Sequence, residues 1–126
     1  MGGKGAKYKI VTGLPNYKMA VFPRNKFKNY ILNPSKDSGK AKYFKSIGYN
    51  MKNSKLLNHD IKKKLATNKA LKCKANARGD TEYQVNMMLG IGNKKRMTTT
   101  AWTIKKGENV PRFVTAYKND KFKKKR

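Results

Sequence analysis

The chain has 126 residues, of which 32 are Lys or Arg and only 6 are Asp or Glu, for a formal net charge of +26. That length suits one domain, and so one-sided a charge opposes its own compaction, which points to a polyanionic partner whose counterions are released as phosphates are neutralised. A lone cysteine (Cys73) and a lone histidine (His59) exclude an internal disulfide and a Cys/His zinc centre, the scattered acids disfavour a two-metal nuclease, and no apolar run has signal-peptide or transmembrane length.

Residues 1–23 read as a basic N-terminal segment. Tyr8 to Val11 and Tyr17 to Phe22 are candidate short extended pieces around a Gly13-Leu14-Pro15-Asn16 turn. The spacing of Phe27, Tyr30 and Ile31 predicts a helix over 24–32 that buries all three, with Pro23 in its first turn and Asn33-Pro34 ending it. Ser38 is placed to cap a second short helix carrying Ala41, Phe44 and Ile47 inward and stopping at Gly48. A third helix opens at Asn53 or Ser54, with Leu57, Ile61 and Leu65 as its apolar stripe and at least two of Lys62 to Lys64 facing solvent.

From Lys69 the period changes. Tyr83, Val85, Met87, Leu89 and Ile91 recur at every second residue, the mark of a strand with one buried face. Gly79-Asp80, Gly92-Asn93 and the run from Lys105 to Asn109 supply turns, so strands are expected near 70–78, 81–91, 96–105 and 111–117. The predicted fold class is α+β, with N-terminal helices packed on a C-terminal antiparallel four-stranded sheet. Residues 24–117 form the domain and 118–126 a basic disordered tail.

RNA is the polyanion best matched to these residue types. Its 2′-hydroxyl lies beside the phosphate, so cleavage needs a proton acceptor, a proton donor and positive charge around phosphorus, but no metal. His59 is the one side chain whose ordinary pKa suits proton transfer near neutrality, although it also reads as an exposed helix residue beside Asp60. Lys40 stands at the start of the second helix, where backbone N–H groups favour phosphate; by position alone it is one of many solvated lysines. Thr100, Thr115 and Tyr117 place hydroxyls on the last two strands, near Arg112. Trp102 reads as a core anchor, Cys73 as a small buried hydrophobe, and Met87-Met88 as core filler. Tyr8, Tyr17, Tyr43, Tyr49 and Tyr83 divide between core and base-stacking roles. Lys42, Lys45, Lys94, Lys95 and Arg96 are candidate contacts to the nucleic-acid backbone, because Lys acts as a flexible point charge.

Two stretches carry a resemblance. Tyr30-Ile31-Leu32-Asn33, Gly39-Lys40-Ala41, Phe44 and Ile47-Gly48-Tyr49 resemble the opening of a bacterial domain family found at the C-termini of polymorphic and contact-dependent growth inhibition toxins. Thr100-Ala101-Trp102-Thr103-Ile104 and the run from Pro111 to Tyr117 resemble its close. The resemblance implies a fold like the barnase, EndoU, colicin and RelE-like ribonucleases, and metal-independent RNA cleavage, often of tRNA, without a cofactor. It implies an acidic cognate immunity protein as partner, and delivery within a larger toxin into the cytoplasm of a target cell. Lys40, Thr100, Trp102, Arg112, Thr115 and Tyr117 are the positions that match. Composition alone leaves two rivals open: a non-catalytic basic RNA- or DNA-binding protein, and a cationic membrane-active polypeptide, the latter disfavoured by narrow apolar helix stripes.

Overall fold

The computed structural model describes residues 8–23, 26–36, 39–73 and 75–120. Its sheet has five strands, β1 (Tyr8–Val11), β2 (Ala70–Cys73), β3 (Thr81–Leu89), β4 (Arg96–Ile104) and β5 (Arg112–Lys118), in that spatial order. Every neighbouring pair is antiparallel. Two α-helices, α1 (Lys40–Ser46) and α2 (Ser54–Leu65), lie between β1 and β2 in the chain. The α+β class and the antiparallel meander are as expected. The fifth strand is a correction: Tyr8 to Val11 adds to the edge of β2, pairing Tyr8 with Cys73 and Val11 with Ala70. Residues 8–23 therefore belong to the same fold, and Val21 makes a single parallel bridge to Arg112 at the other edge. The second expected extended piece is instead a 3-10 turn at Tyr17–Met19.

One core joins helix and strand residues. Phe44 and Ile47 from the α1 region and Leu57, Ile61 and Leu65 of α2 are buried with Tyr83, Val85, Met87 and Leu89 of β3. Helix α1 contacts β5, and α2 contacts β3. Trp102 and Phe113 meet edge to face with ring centroids 5.4 Å apart, and Phe22 and Phe27 close the cluster. Such offset and edge-on pairs add to the area they bury.

Helix α1 ends as Gly48 predicts. With φ at +107°, Gly48 turns the chain so that its N–H reaches Lys45 O and the Tyr49 N–H reaches Phe44 O, at 3.1 and 2.8 Å. The start of α2 is capped one turn earlier than expected. Asn50 and Asn53 form a reciprocal box around the 3-10 turn Met51–Asn53 that leads into the helix. The expected cap at Ser38 and the expected helix start at Arg24 lie outside the described residues, as does 121–126 of the expected tail. Lys118, placed in that tail by its charge, is the last residue of β5.

Four burial expectations need correction. Tyr30 is exposed, because the 27–31 segment is a π-helical turn that buries Phe27 and Ile31 and turns Tyr30 outward under Lys26 Nζ. Met88 is exposed, being one residue out of phase with buried Met87. Cys73 is only half-buried, on the sheet face away from Ala70. Ile91 leaves the strand because Gly90, with φ at +149°, bends the chain, and β3 stops at Leu89.

Candidate functional site on the open sheet face

Strand alternation sends the core residues of β3, β4 and β5 one way and leaves a second row on the opposite face. The register places Glu82, Thr103 and Arg112 on one rung of that face, Gln84, Ala101 and Thr115 on the next, and Asn86, Thr99 and Tyr117 on the third. A β-bulge between Ala101 and Trp102 leaves Val114 as the extra residue of β5, exposed, and returns Phe113 to the core. Without the bulge, Arg112 would not share a face with Thr115 and Tyr117.

Side chains on this face are tied to one another. Gln84 Nε2 donates to the phenol oxygen of Tyr8 at 3.1 Å and to that of Tyr117 at 3.4 Å. Thr99 Oγ1 donates to Asn86 Oδ1 at 2.7 Å on the adjoining rung. Partial burial, with Cys73, Tyr117 and Glu82 nearby, pushes the Tyr8 phenol above its ordinary pKa, so it stays protonated at neutral pH and is a donor. Glu108 Oε1 accepts from Arg112 Nε and Nη2 at 3.3 and 3.2 Å across the β4–β5 turn. Both partners are about two-fifths exposed, so the pair is weak and a phosphate competes for the guanidinium.

The structure brings some of the sequence candidates together and separates others. Thr115, Tyr117 and Arg112 share the open face. Thr100 does not: it is fully buried, its hydroxyl donating to Val85 O and accepting from Trp102 Nε1, each at 2.9 Å. Both capacities of that hydroxyl serve the core, which leaves no proton to relay. His59 is exposed on α2, whose buried stripe contacts β3, and its neighbour Asp60 accepts from Tyr49 Oη at 2.6 Å. Lys40 opens α1, one turn before Tyr43, whose hydroxyl is 2.7 Å from Thr98 Oγ1. Lys42 and Lys45 are exposed on α1, while Lys94, Lys95 and Arg96 line a single cleft at the end of the β3–β4 hairpin.

Sequence reasoning missed Gln84 and Glu82, and it left Tyr8 among five tyrosines divided between core and base-stacking roles. The alternation that buries Tyr83 and Val85 already assigns Glu82 and Gln84 to the other face, so that signal was present. Tyr8 depends on a pairing between residues far apart in sequence and had none. Among the described residues no group of three or more His, Cys, Asp or Glu side chains converges on a point that could hold a metal ion. Likewise no helix there is long and apolar enough to cross a membrane.

Comparison with curated proteins and with solved structures finds no match. A family model does match, over residues 13–120, which takes in all but the first strand of the sheet and both helices, and the chain belongs to that family, described as a domain of unknown function (DUF6883).

Proposed function

We propose that this chain is a metal-independent ribonuclease domain of the kind borne by polymorphic and contact-dependent toxins, that tRNA is its favoured substrate, and that the open face of the sheet is its reactive surface. The observation that carries this reading is the set of rungs bearing Glu82, Arg112, Thr115, Gln84, Tyr8 and Tyr117 on one face of a chain with net charge +26. The toxin resemblance, the barnase-like arrangement of helices on one side of the sheet, and an acidic immunity partner belong to the same reading.

Each chemical need has a side chain of suitable type on that face. Glu82, exposed on β3, accepts the 2′-hydroxyl proton. Arg112, released from Glu108, neutralises the phosphate as charge builds on it; Lys40, the further cation that the resemblance assigns to this task, stands instead on α1, which packs on the core side of the sheet. Tyr8 and Tyr117, whose phenol oxygens accept from Gln84, keep their own O–H hydrogens to donate toward phosphate or the leaving 5′-oxygen. Thr115 orients the ribose.

One observation favours a second reading, a non-catalytic RNA-binding domain: His59, the sole histidine, lies on α2 rather than on this face. Incubation with total bacterial RNA in EDTA, resolved on a denaturing gel, separates the two. Discrete fragments that disappear with Glu82→Gln or Tyr117→Phe are expected, and Lys40→Ala tests the cation that the resemblance adds. Intact RNA that only shifts on a native gel, with and without added cell extract, favours the binding domain.

A further inference from the structure

The reactive face proposed above leaves out a basic concavity at the end of the β3–β4 hairpin. A cleft of about 620 Å³ lies where the β3–β4 hairpin meets the ends of α1 and β5, and its cationic lining comes from Lys94, Lys95, Arg96 and Lys118. Ser46 adds a hydroxyl and Asn93 and Asn119 add amides, and among the described residues no carboxylate lines it. The nearest acid in the ion pairs is Asp120, 3.7 Å from Lys118 Nζ and largely exposed, a contact that phosphate displaces readily.

The cleft has a fixed frame. The Ile91 N–H donates to Ile47 O at 2.9 Å, which pins the hairpin to the end of α1. Gly90 allows the turn: a Cβ there would lie 2.6 Å from the Lys95 Cα. Lys95 Nζ in turn reaches Gly92 O at 3.4 Å. Cations presented on a pinned turn need less ordering when they bind.

The cleft is also continuous with the open face. Met88 and Met97, paired across β3 and β4, line the cleft and follow directly on the Asn86–Thr99 rung. Their thioethers give an apolar floor between cations, which suits a nucleotide chain with bases better than a bare inorganic polyanion. Gln84 and Met88 are four residues apart on β3, about 14 Å at ~3.4 Å per residue. That spans roughly four nucleotides of stacked strand at ~3.4 Å each.

We infer that this cleft holds backbone phosphates of the bound RNA roughly four nucleotides from the phosphate on the open face, an extended subsite that rests on the RNA reading above. The test is fluorescence anisotropy with single-stranded 2′-O-methyl RNA, which cannot be cleaved, in lengths of about three and about ten nucleotides. Wild-type protein is expected to bind the longer strand at least ~10-fold more tightly, through the counterions released at the added contacts. The triple variant Lys94→Ala/Lys95→Ala/Arg96→Ala is expected to lose that advantage and to flatten the log–log salt slope by about 2. A charge-matched triple on α2, Lys55→Ala/Lys62→Ala/Lys63→Ala, is expected to keep most of it. The single exposed change Lys95→Glu gives the same direction should the cleft triple melt early. Equal losses in the two triples, or equal affinity for both lengths, would overturn the subsite. RNA cleavage in EDTA is scored separately. A length advantage that depends on the cleft, without cleavage, supports the subsite and sinks the catalytic reading; cleavage without a length advantage does the reverse.

Discussion

Gln84 and Tyr117 reach each other across an intervening strand, Nε2 donating to the phenol oxygen at 3.4 Å. They stand on β3 and β5, and the β4 residue paired with Gln84 is Ala101. A side chain ending at Cβ leaves the space above β4 open. Ala101→Leu is therefore expected to separate the pair while keeping the sheet, since the position is half-buried on the open face. If the pair orients Tyr117 for proton donation, cleavage falls by about 10²-fold or more, in line with general-acid contributions, and Tyr117→Phe falls as far. Single-turnover cleavage of a short RNA measures both. Full activity in Ala101→Leu would show that Tyr117 acts without Gln84.

Thr100 and Trp102 make the matching contact on the core face. Thr100→Val conserves shape but removes the acceptor of the indole N–H and the donor to Val85 O. A buried donor left without a partner costs about 1–3 kcal/mol. Urea denaturation is expected to show that loss with an unchanged m-value. A change under about 0.5 kcal/mol would mean that another acceptor takes over.

Much of this was legible in the chain. Leu57, Ile61 and Leu65 marked α2 by spacing, and Tyr83 to Leu89 marked β3 by alternation; both patterns report directly which face is buried. The cleft's cations were visible as Lys94-Lys95-Arg96, although nothing local showed that Lys118 would join them from β5. What failed depended on pairings between distant residues. The role of β1 rests on its register with β2, and Arg112 reaches the open face only through a bulge that leaves no local signature. Thr100 misled for a related reason. A threonine reads the same on either face, and its place beside Trp102 in a matching motif says nothing of which side its hydroxyl takes.

Asp80 links two turns. Its Oδ1 accepts from the Lys106 backbone N–H at 3.0 Å and its Oδ2 from Arg78 Nε at 3.3 Å. The Lys106 bond foremost, then Arg78, hold its carboxyl below the ordinary value of 3.8. A carboxylate with a depressed folded-state pKa binds protons more readily when unfolded. Its contribution is therefore complete above the unfolded value and fades as pH falls from there through the lower folded one. Thermal melts of wild type are expected to lose stability over that acid range, and Asp80→Asn to show a shallower loss. Parallel acid limbs would mean that the tie does not persist in solution.

Gly90 is the backbone condition for the hairpin turn. Its φ of +149° strains an L side chain, and the Cβ of alanine would meet the Lys95 backbone at 2.6 and 2.8 Å. Gly90→Ala is expected to destabilise by about 1–3 kcal/mol and to weaken binding of the longer RNA by displacing Lys94 and Lys95. Gly92 is also at positive φ, but a Cβ there would meet nothing within 4 Å, so it is expected to accept alanine at the lower end of that range. Chemical denaturation of the two variants side by side ranks them.

Salt tests the kind of partner. A chain of charge +26 is attracted electrostatically to anionic membranes as well as to RNA, but membrane insertion needs an apolar helix face that is free to turn outward. The stripe of α2 is not free, because Leu57, Ile61 and Leu65 are all buried in the core. Leakage of anionic vesicles is expected to stay at background under conditions where the fold is intact. RNA affinity is expected to fall steeply instead: neutralising about six phosphates on a single strand lowers it about 300-fold between about 50 and 200 mM salt. A slope near zero would remove the electrostatic basis of the RNA reading. Leakage that tracks unfolding, and not surface charge, would assign any membrane effect to the denatured chain.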